Sequence, residues 1–173
     1  MDNVSLFFQI FNLNGRFPVL DKLMVFGATY LIYLALLLVL ILGIKGSIRE
    51  KKALLLILVS VPIALLLIVI IHLFFFEPRP FANFHFTPIV PEKAGASFPS
   101  HHAAITAVLA FAYTYFKSRW SLLLLFIMCW VGLSRIFVGV HYPLDILGGF
   151  VTAIVAIFIS LQIKKNLEAR FLR

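Results

Sequence analysis

The chain has 173 residues, 62% of them hydrophobic and only 13% charged, with a formal charge of +8. That balance excludes an ordinary soluble domain. The basic residues gather at the ends of apolar runs, which marks membrane orientation and not a nucleic-acid groove.

The single cysteine, Cys129, lies in an apolar run, so an intrachain disulfide is excluded. Residues 1–20 carry no basic leader and no small-residue cleavage site, so no removed signal peptide is expected. Asp2 or Asn3 can cap a short helix through Asn12, greasy on one side through Phe7, Phe8, Ile10 and Phe11 and ended by Asn14-Gly15. It reads as a helix lying in the membrane interface.

Five apolar runs follow, each close to the ~20 residues that cross a bilayer. They cover about Leu23–Leu42, Ala53–Phe76 with Pro62 inside, Ser100–Phe116, Ser121–Val138 and Pro143–Ile163. Pro62 is expected to kink the second. Between the second and third lies an irregular stretch, Glu77–Pro99, holding five of the eight prolines along with Phe81, Phe84 and Phe86. A loop of that length is usually functional, and its aromatics suit the headgroup level. The expected fold is an all-α integral membrane protein: about five spans plus the interfacial helix, one domain over residues 1–173. The connections after spans one, three and five, with the C-terminal end, hold ten basic residues: 45, 49, 51, 52, 117, 119, 164, 165, 170 and 173. The other face holds five: Arg16, Lys22, Arg79, Lys93 and Arg135. The positive-inside bias therefore puts the N-terminus outside and the C-terminus in the cytoplasm.

Three polar groups fall on that outer face. The first is His72 and Arg79 in H-L-F-F-F-E-P-R-P; the second is Pro99-Ser100-His101-His102, where the third span starts. The third is Ser134 to Asp145, S-R-I-F-V-G-V-H-Y-P-L-D, holding Arg135, His141 and Asp145. Ionisable groups at such places are costly and are functional candidates. Asp145, four residues after His141 across a Tyr-Pro turn, can hold one imidazole nitrogen and leave the other as base, ligand or nucleophile. Arg79 and Arg135 offer planar forks suited to phosphate, and a helix starting after Ser100 turns its first amides towards an anion. Two histidines at a phosphate site supply a nucleophile and a general acid. The plainer reading has a snorkelling arginine and a helix begun by Pro143 with Asp145 in its first turn. A zinc site from His72, His102, His141 and Asp145 lacks close ligand spacing.

The three groups resemble the signature motifs of the type-two phosphatidic acid phosphatase superfamily, K-x6-R-P, P-S-G-H and S-R-x5-H-x3-D. The third match is complete; His72 replaces the lysine of the first and His101 the glycine of the second. E-P-R-P-F and the P-S-x-H variant look most like the small undecaprenyl diphosphate phosphatases of the bacitracin-resistance type. The resemblance implies His141 as nucleophile, Asp145 orienting it, and His102 as the acid that protonates the leaving oxygen. It also implies that His72, Arg79, Ser100, Arg135 and the amide of His101 hold the phosphoryl oxygens, with no metal or cofactor. The implied substrate is undecaprenyl diphosphate presented from within the bilayer, cleaved at the outer face as part of lipid-carrier recycling. The alternatives are phosphatidylglycerophosphate or phosphatidic acid, or a phosphate-binding or transport protein without turnover.

Overall fold

The computed structural model describes residues 2–171, with side chains to residue 167. The side chains of Arg170 and Arg173, counted above for orientation, lie outside that description. The elements are α1 (Asn3–Phe11), α2 (Pro18–Thr29), α3 (Leu31–Lys45), α4 (Ile48–Phe74), α5 (Pro80–Asn83), α6 (His101–Tyr115), α7 (Ser121–Phe137) and α8 (Pro143–Phe171). The protein is an all-helical integral membrane protein. Helices α4 and α8 are long and apolar enough to cross a bilayer on their own.

The first span is not one continuous helix. It is the pair α2 and α3, bent by 55° at Tyr30. The break frees backbone carbonyls from the helical ladder, and Arg135 Nη1 donates to one of them, Ala28 O, at 3.4 Å. Side chains of α7 press close at the same place: a Cβ on Gly27 would lie 2.3 Å from Ser134 Oγ. The bend therefore belongs to the packing around Arg135, which a hydropathy pattern does not register. Helix α4 runs unbroken through Pro62. Helices α6 and α7, of 15 and 17 residues, are shorter than a full crossing. Each begins or stops at the polar residues of the candidate site: α6 opens at Ser100 and α7 closes after Arg135.

The main core lies where α3, α4, α6, α7 and α8 meet. Small residues Ala53, Ala64, Ala107, Ala110, Ala112, Ala153 and Ala156 are fully or almost fully buried there. Small side chains let helix backbones approach closely, the usual way membrane helices gain contact without a hydrophobic driving force. Gly149 does this at the functional end: a Cβ there would stand 2.8 Å from Ser100 O and 2.9 Å from Ala104 N. It lets α8 press its first turns against the start of α6. The outward faces carry exposed Leu55, Leu58, Phe74, Phe126, Val151 and Phe158, as lipid contact requires.

Helix α1 is capped by Asp2, whose side chain accepts from Ser5 N at 2.7 Å. It ends at Phe11, slightly before the Asn14-Gly15 turn. It does not merely lie flat in an interface. Phe7 is fully buried, with its ring 5.5 Å from Tyr142 and 6.3 Å from Phe86, while Phe8 meets Phe84 at 4.9 Å. Helix α1 and the aromatics of the 77–99 loop thus pack together over the chain between α7 and α8.

Candidate active site

The stretch from Ser134 to Asp145 folds as two helix ends joined by a tight crossing. Helix α7 stops with Val138 as C-cap and Gly139 at φ 85°. Val140 N donates to Arg135 O at 3.2 Å, closing the last turn in the manner of a left-handed glycine cap. Any side chain at 139 would strain that conformation and meet Phe11 and Phe86, each 2.8 Å from a built Cβ. Pro143 then opens α8, where a missing N–H costs nothing. Asp145 sits in the first turn, and its Oδ2 accepts from Tyr142 N at 2.7 Å, half of a capping box. The plain helix-start reading is therefore correct as far as it goes.

The same oxygen has further donors. His141 Nδ1 lies 3.2 Å from Asp145 Oδ2, and Ser97 Oγ donates to it as well. Ser97 Oγ is also 3.3 Å from His141 Nδ1. The other imidazole nitrogen, Nε2, is 3.3 Å from Arg79 Nη1. A guanidinium only donates, so Nε2 presents its lone pair and Nδ1 carries the proton towards Asp145. His141 is 1% exposed. Burial, followed by the positive charges of Arg135 and Arg79, pushes its pKa well below the ordinary 6.5, which keeps the ring neutral.

Both arginines reach the same place from different directions. Arg79 comes from the residue before α5 and donates through Nη1 to Val140 O at 3.3 Å. Arg135 comes from the last turn of α7. Between them stands Glu92 of the long loop: its Oε2 is ion-paired with Arg135 Nη2 and lies 3.8 Å from Arg79 Nη1. Burial raises the Glu92 carboxyl, but the Arg135 bond and the two positive charges outweigh it and leave the group below its usual value. Arg79 is shifted down by burial, opposed by Glu92 and Asp145. The Nε atoms of both arginines, His72 Nε2 and Asp145 Oδ1 are buried without a hydrogen-bond partner among the described residues.

Ser100 caps α6, its Oγ accepting from Ala103 N at 3.4 Å, while its own N–H donates to Asp145 O at 3.0 Å. Its hydroxyl proton remains to be given. The amides of His101 and His102 open the helix and have no partner in its own ladder. His101 packs its ring 5.6 Å from that of His72. It lies within electrostatic reach of Arg79, Glu92 and Arg135, and His102 within reach of Arg135 and His141. The structure thus gathers Arg79, Ser100, His101, His102, Arg135, His141 and Asp145 at one end of the bundle, with His72 beside His101. Among the described residues, no group of three or more His, Cys, Asp or Glu side chains is arranged to hold a metal ion.

Two residues were missed in the sequence. Ser97 stands three places before Ser100 in an irregular stretch, and nothing in its spacing tied it to Asp145. Glu92 was visible as one of only two acids in the Glu77–Pro99 loop. Its place in the same loop as Arg79 was the available signal.

Residues 53–169 match the PAP2 superfamily. The undecaprenyl-diphosphatase BcrC of Bacillus subtilis is 35% identical over 159 residues, covering 91% of this chain and 81% of its own. The putative undecaprenyl-diphosphatase YbjG of Escherichia coli is 30% identical over 154 residues, covering 88% and 78%. Among solved structures, LpxE of Aquifex aeolicus has a TM-score of 0.73 at 25% identity, over 92% of this chain and 94% of its own. A PAP2-type phosphatidylglycerolphosphate phosphatase from Bacillus subtilis has a TM-score of 0.64 at 25% identity, over 94% and 86%. The match runs from the first turns of α4 to near the end of α8 and contains all three polar groups, and this membrane chain belongs to the PAP2 superfamily.

Proposed function

We propose that this protein removes the terminal phosphate of undecaprenyl diphosphate, leaving the monophosphate, with His141 as nucleophile. The observation that carries this reading is the state of His141: Nδ1 is directed at Asp145 and the Nε2 lone pair is held beside the Arg79 guanidinium. Similarity to BcrC and YbjG supports the choice of substrate.

In the first step Nε2 of His141 attacks the terminal phosphorus and the bond from phosphorus to the bridging oxygen breaks. Its electron pair leaves with the lipid monophosphate, to which His102 gives a proton. Asp145 steadies the imidazolium character that develops on His141. Arg79, Arg135, the Ser100 hydroxyl and the first amides of α6 hold the three phosphoryl oxygens, where charge accumulates in the transition state. In the second step His102 takes a proton from water, the oxygen attacks the phosphohistidine, and free phosphate leaves with His141 neutral again. No step draws on a cofactor. His72 adds a further donor, a cation only while protonated, where the family motif has a lysine.

The lipid stays in the bilayer with its chains along the helices and brings its phosphate up under α1 and the 77–99 loop. The ten-to-five split of basic residues supports a site at the outer face of the cytoplasmic membrane. A diphosphate also leaves as a phosphate monoester, a better leaving group than an alkoxide. Purified protein assayed in EDTA against a panel of lipid phosphates tests the assignment. Polyprenyl diphosphate should exceed phosphatidic acid and phosphatidylglycerophosphate in kcat/KM by at least ~10-fold, about 1.4 kcal/mol in transition-state binding. Equal or better turnover of either glycerolipid overturns the substrate, and loss of activity in EDTA overturns the metal-free scheme.

A further inference from the structure

The two arginines assigned to the phosphoryl group already hold an anion from the protein. Glu92 Oε2 is ion-paired with Arg135 Nη2 and stands 3.8 Å from Arg79 Nη1. Its other oxygen, Oε1, accepts only from the neighbouring Lys93 N, at 3.3 Å. Among the described residues the carboxylate is thus held by the arginines and its own backbone, with no other side chain fixing it. A structural ion pair would be expected to be sealed from solvent, and the arginines are: their side chains are 11% and 5% exposed. Glu92 is different, at 22%, and enters from an irregular segment between exposed Pro91 and Lys93. Gly95 a little further on has nothing within 4 Å of a built Cβ. The anion can therefore withdraw towards solvent while the cations stay in place.

We infer that Glu92 is an internal competitor for the phosphate site, exchanging with the phosphoryl group on Arg79 and Arg135. This rests on those arginines binding phosphate, as proposed above. A carboxylate and a phosphoryl oxygen ask the same of a guanidinium, and both cannot occupy the same forks. The Glu92-paired state lowers the apparent affinity for every phosphate ligand in proportion to its population. A lipid substrate offsets that loss with its chain and its second phosphate. Free phosphate brings nothing but the dianion and binds more weakly from the start, so the same loss carries it out of the site first. The return of Glu92 to the arginines as the phosphohistidine is hydrolysed then helps to expel the product and keeps ambient phosphate out. The ratio of the two affinities is unchanged by this common factor; Glu92 sets their absolute level, so that the tighter-binding lipid still occupies the site while free phosphate does not.

The test is the binding of inorganic phosphate, by 31P NMR titration, to His141→Ala protein in detergent with and without Glu92→Gln. Neither protein turns over, so this arm is independent of which lipid is the substrate. Glu92→Gln keeps size and hydrogen bonding but removes the charge. It should tighten phosphate binding by at least ~10-fold, the scale of a charge-assisted contact released. In otherwise wild-type enzyme the same change should deepen inhibition by phosphate and lower the KM for lipid diphosphate. Glu92→Asp, which keeps the charge but shortens its reach, should tighten phosphate binding by a smaller factor and serves if the glutamine variant does not purify. Unchanged or weaker phosphate binding in either variant overturns the inference and makes Glu92 an anchor that holds the arginines in place. Tighter phosphate binding in an enzyme that ignores lipid diphosphates would instead uphold Glu92 and reject the substrate.

Discussion

Asp145 holds His141 with the same carboxylate oxygen that starts helix α8. Oδ2 lies 3.2 Å from His141 Nδ1 and accepts from Tyr142 N at 2.7 Å. The orientation of the imidazole is thereby tied to the geometry of a helix N-terminus. Asp145→Asn keeps an oxygen that can accept from Tyr142 but places a neutral group against Nδ1. We expect kcat to fall by ~10²-fold or more, by analogy with other orienting carboxylates, with the helical content unchanged by circular dichroism. A kcat within a few-fold of wild type would remove Asp145 from the mechanism.

Ser97 is fully buried and donates to Asp145 Oδ2. Its removal leaves that oxygen with fewer donors and the imidazole freer to turn. Ser97→Ala should lower kcat by ~10-fold, about one hydrogen bond to a charged group, while KM stays near wild type. Ser97→Thr, which keeps the hydroxyl, should recover part of the loss. A rise in KM with kcat intact would make Ser97 a support for the substrate loop only.

His141 should be neutral in the resting enzyme. Burial and the charges of Arg135 and Arg79 place its pKa well below 6.5. The ring then remains deprotonated as pH falls through 6.5 and gains its proton only at lower pH. In an unfolded chain the proton binds near ~6.5, so this group withdraws stability from the fold as pH drops below that value. Nitrogen-15 histidine spectra of the protein in nanodiscs at pH 6.5 should show a neutral tautomer protonated at Nδ1 for His141. An imidazolium signal at that pH would contradict the assignment.

His72 sits beside His101 with Nε2 buried and unpartnered. His72→Lys, which restores the lysine of the family motif, should retain activity, while His72→Ala should raise KM for the lipid diphosphate. An unchanged KM in the alanine variant would make His72 a packing residue.

The proposed outward-facing site rests on the ten-to-five split of basic residues. In a Cys129→Ser background, a cysteine at the exposed Lys93 should react with an impermeant maleimide added to intact cells. Labelling only after permeabilisation would turn the site to the cytoplasm.

Much of this arrangement was legible because each motif coincides with a helix end. Pro-Ser before an apolar run announces a capped start, and Gly139 and Pro143 punctuate the crossing that carries His141. The bend at Tyr30 was not legible, since α2 and α3 are both apolar and the break is set by contacts with Gly27 and Ala28 from α7. Nor were Ser97 and Glu92, which reach the site through an irregular loop whose path depends on the finished bundle. Local pattern reports where helices begin; it does not report which loop residue returns to them.

The most direct test of the account is to trap the covalent intermediate. Enzyme mixed with polyprenyl diphosphate carrying radiolabel in its terminal phosphate, and quenched in alkali within the first turnovers, should carry acid-labile label on the peptide containing His141. His141→Ala protein should carry none. Label on another residue, or turnover by His141→Ala at a rate near wild type, would contradict the mechanism.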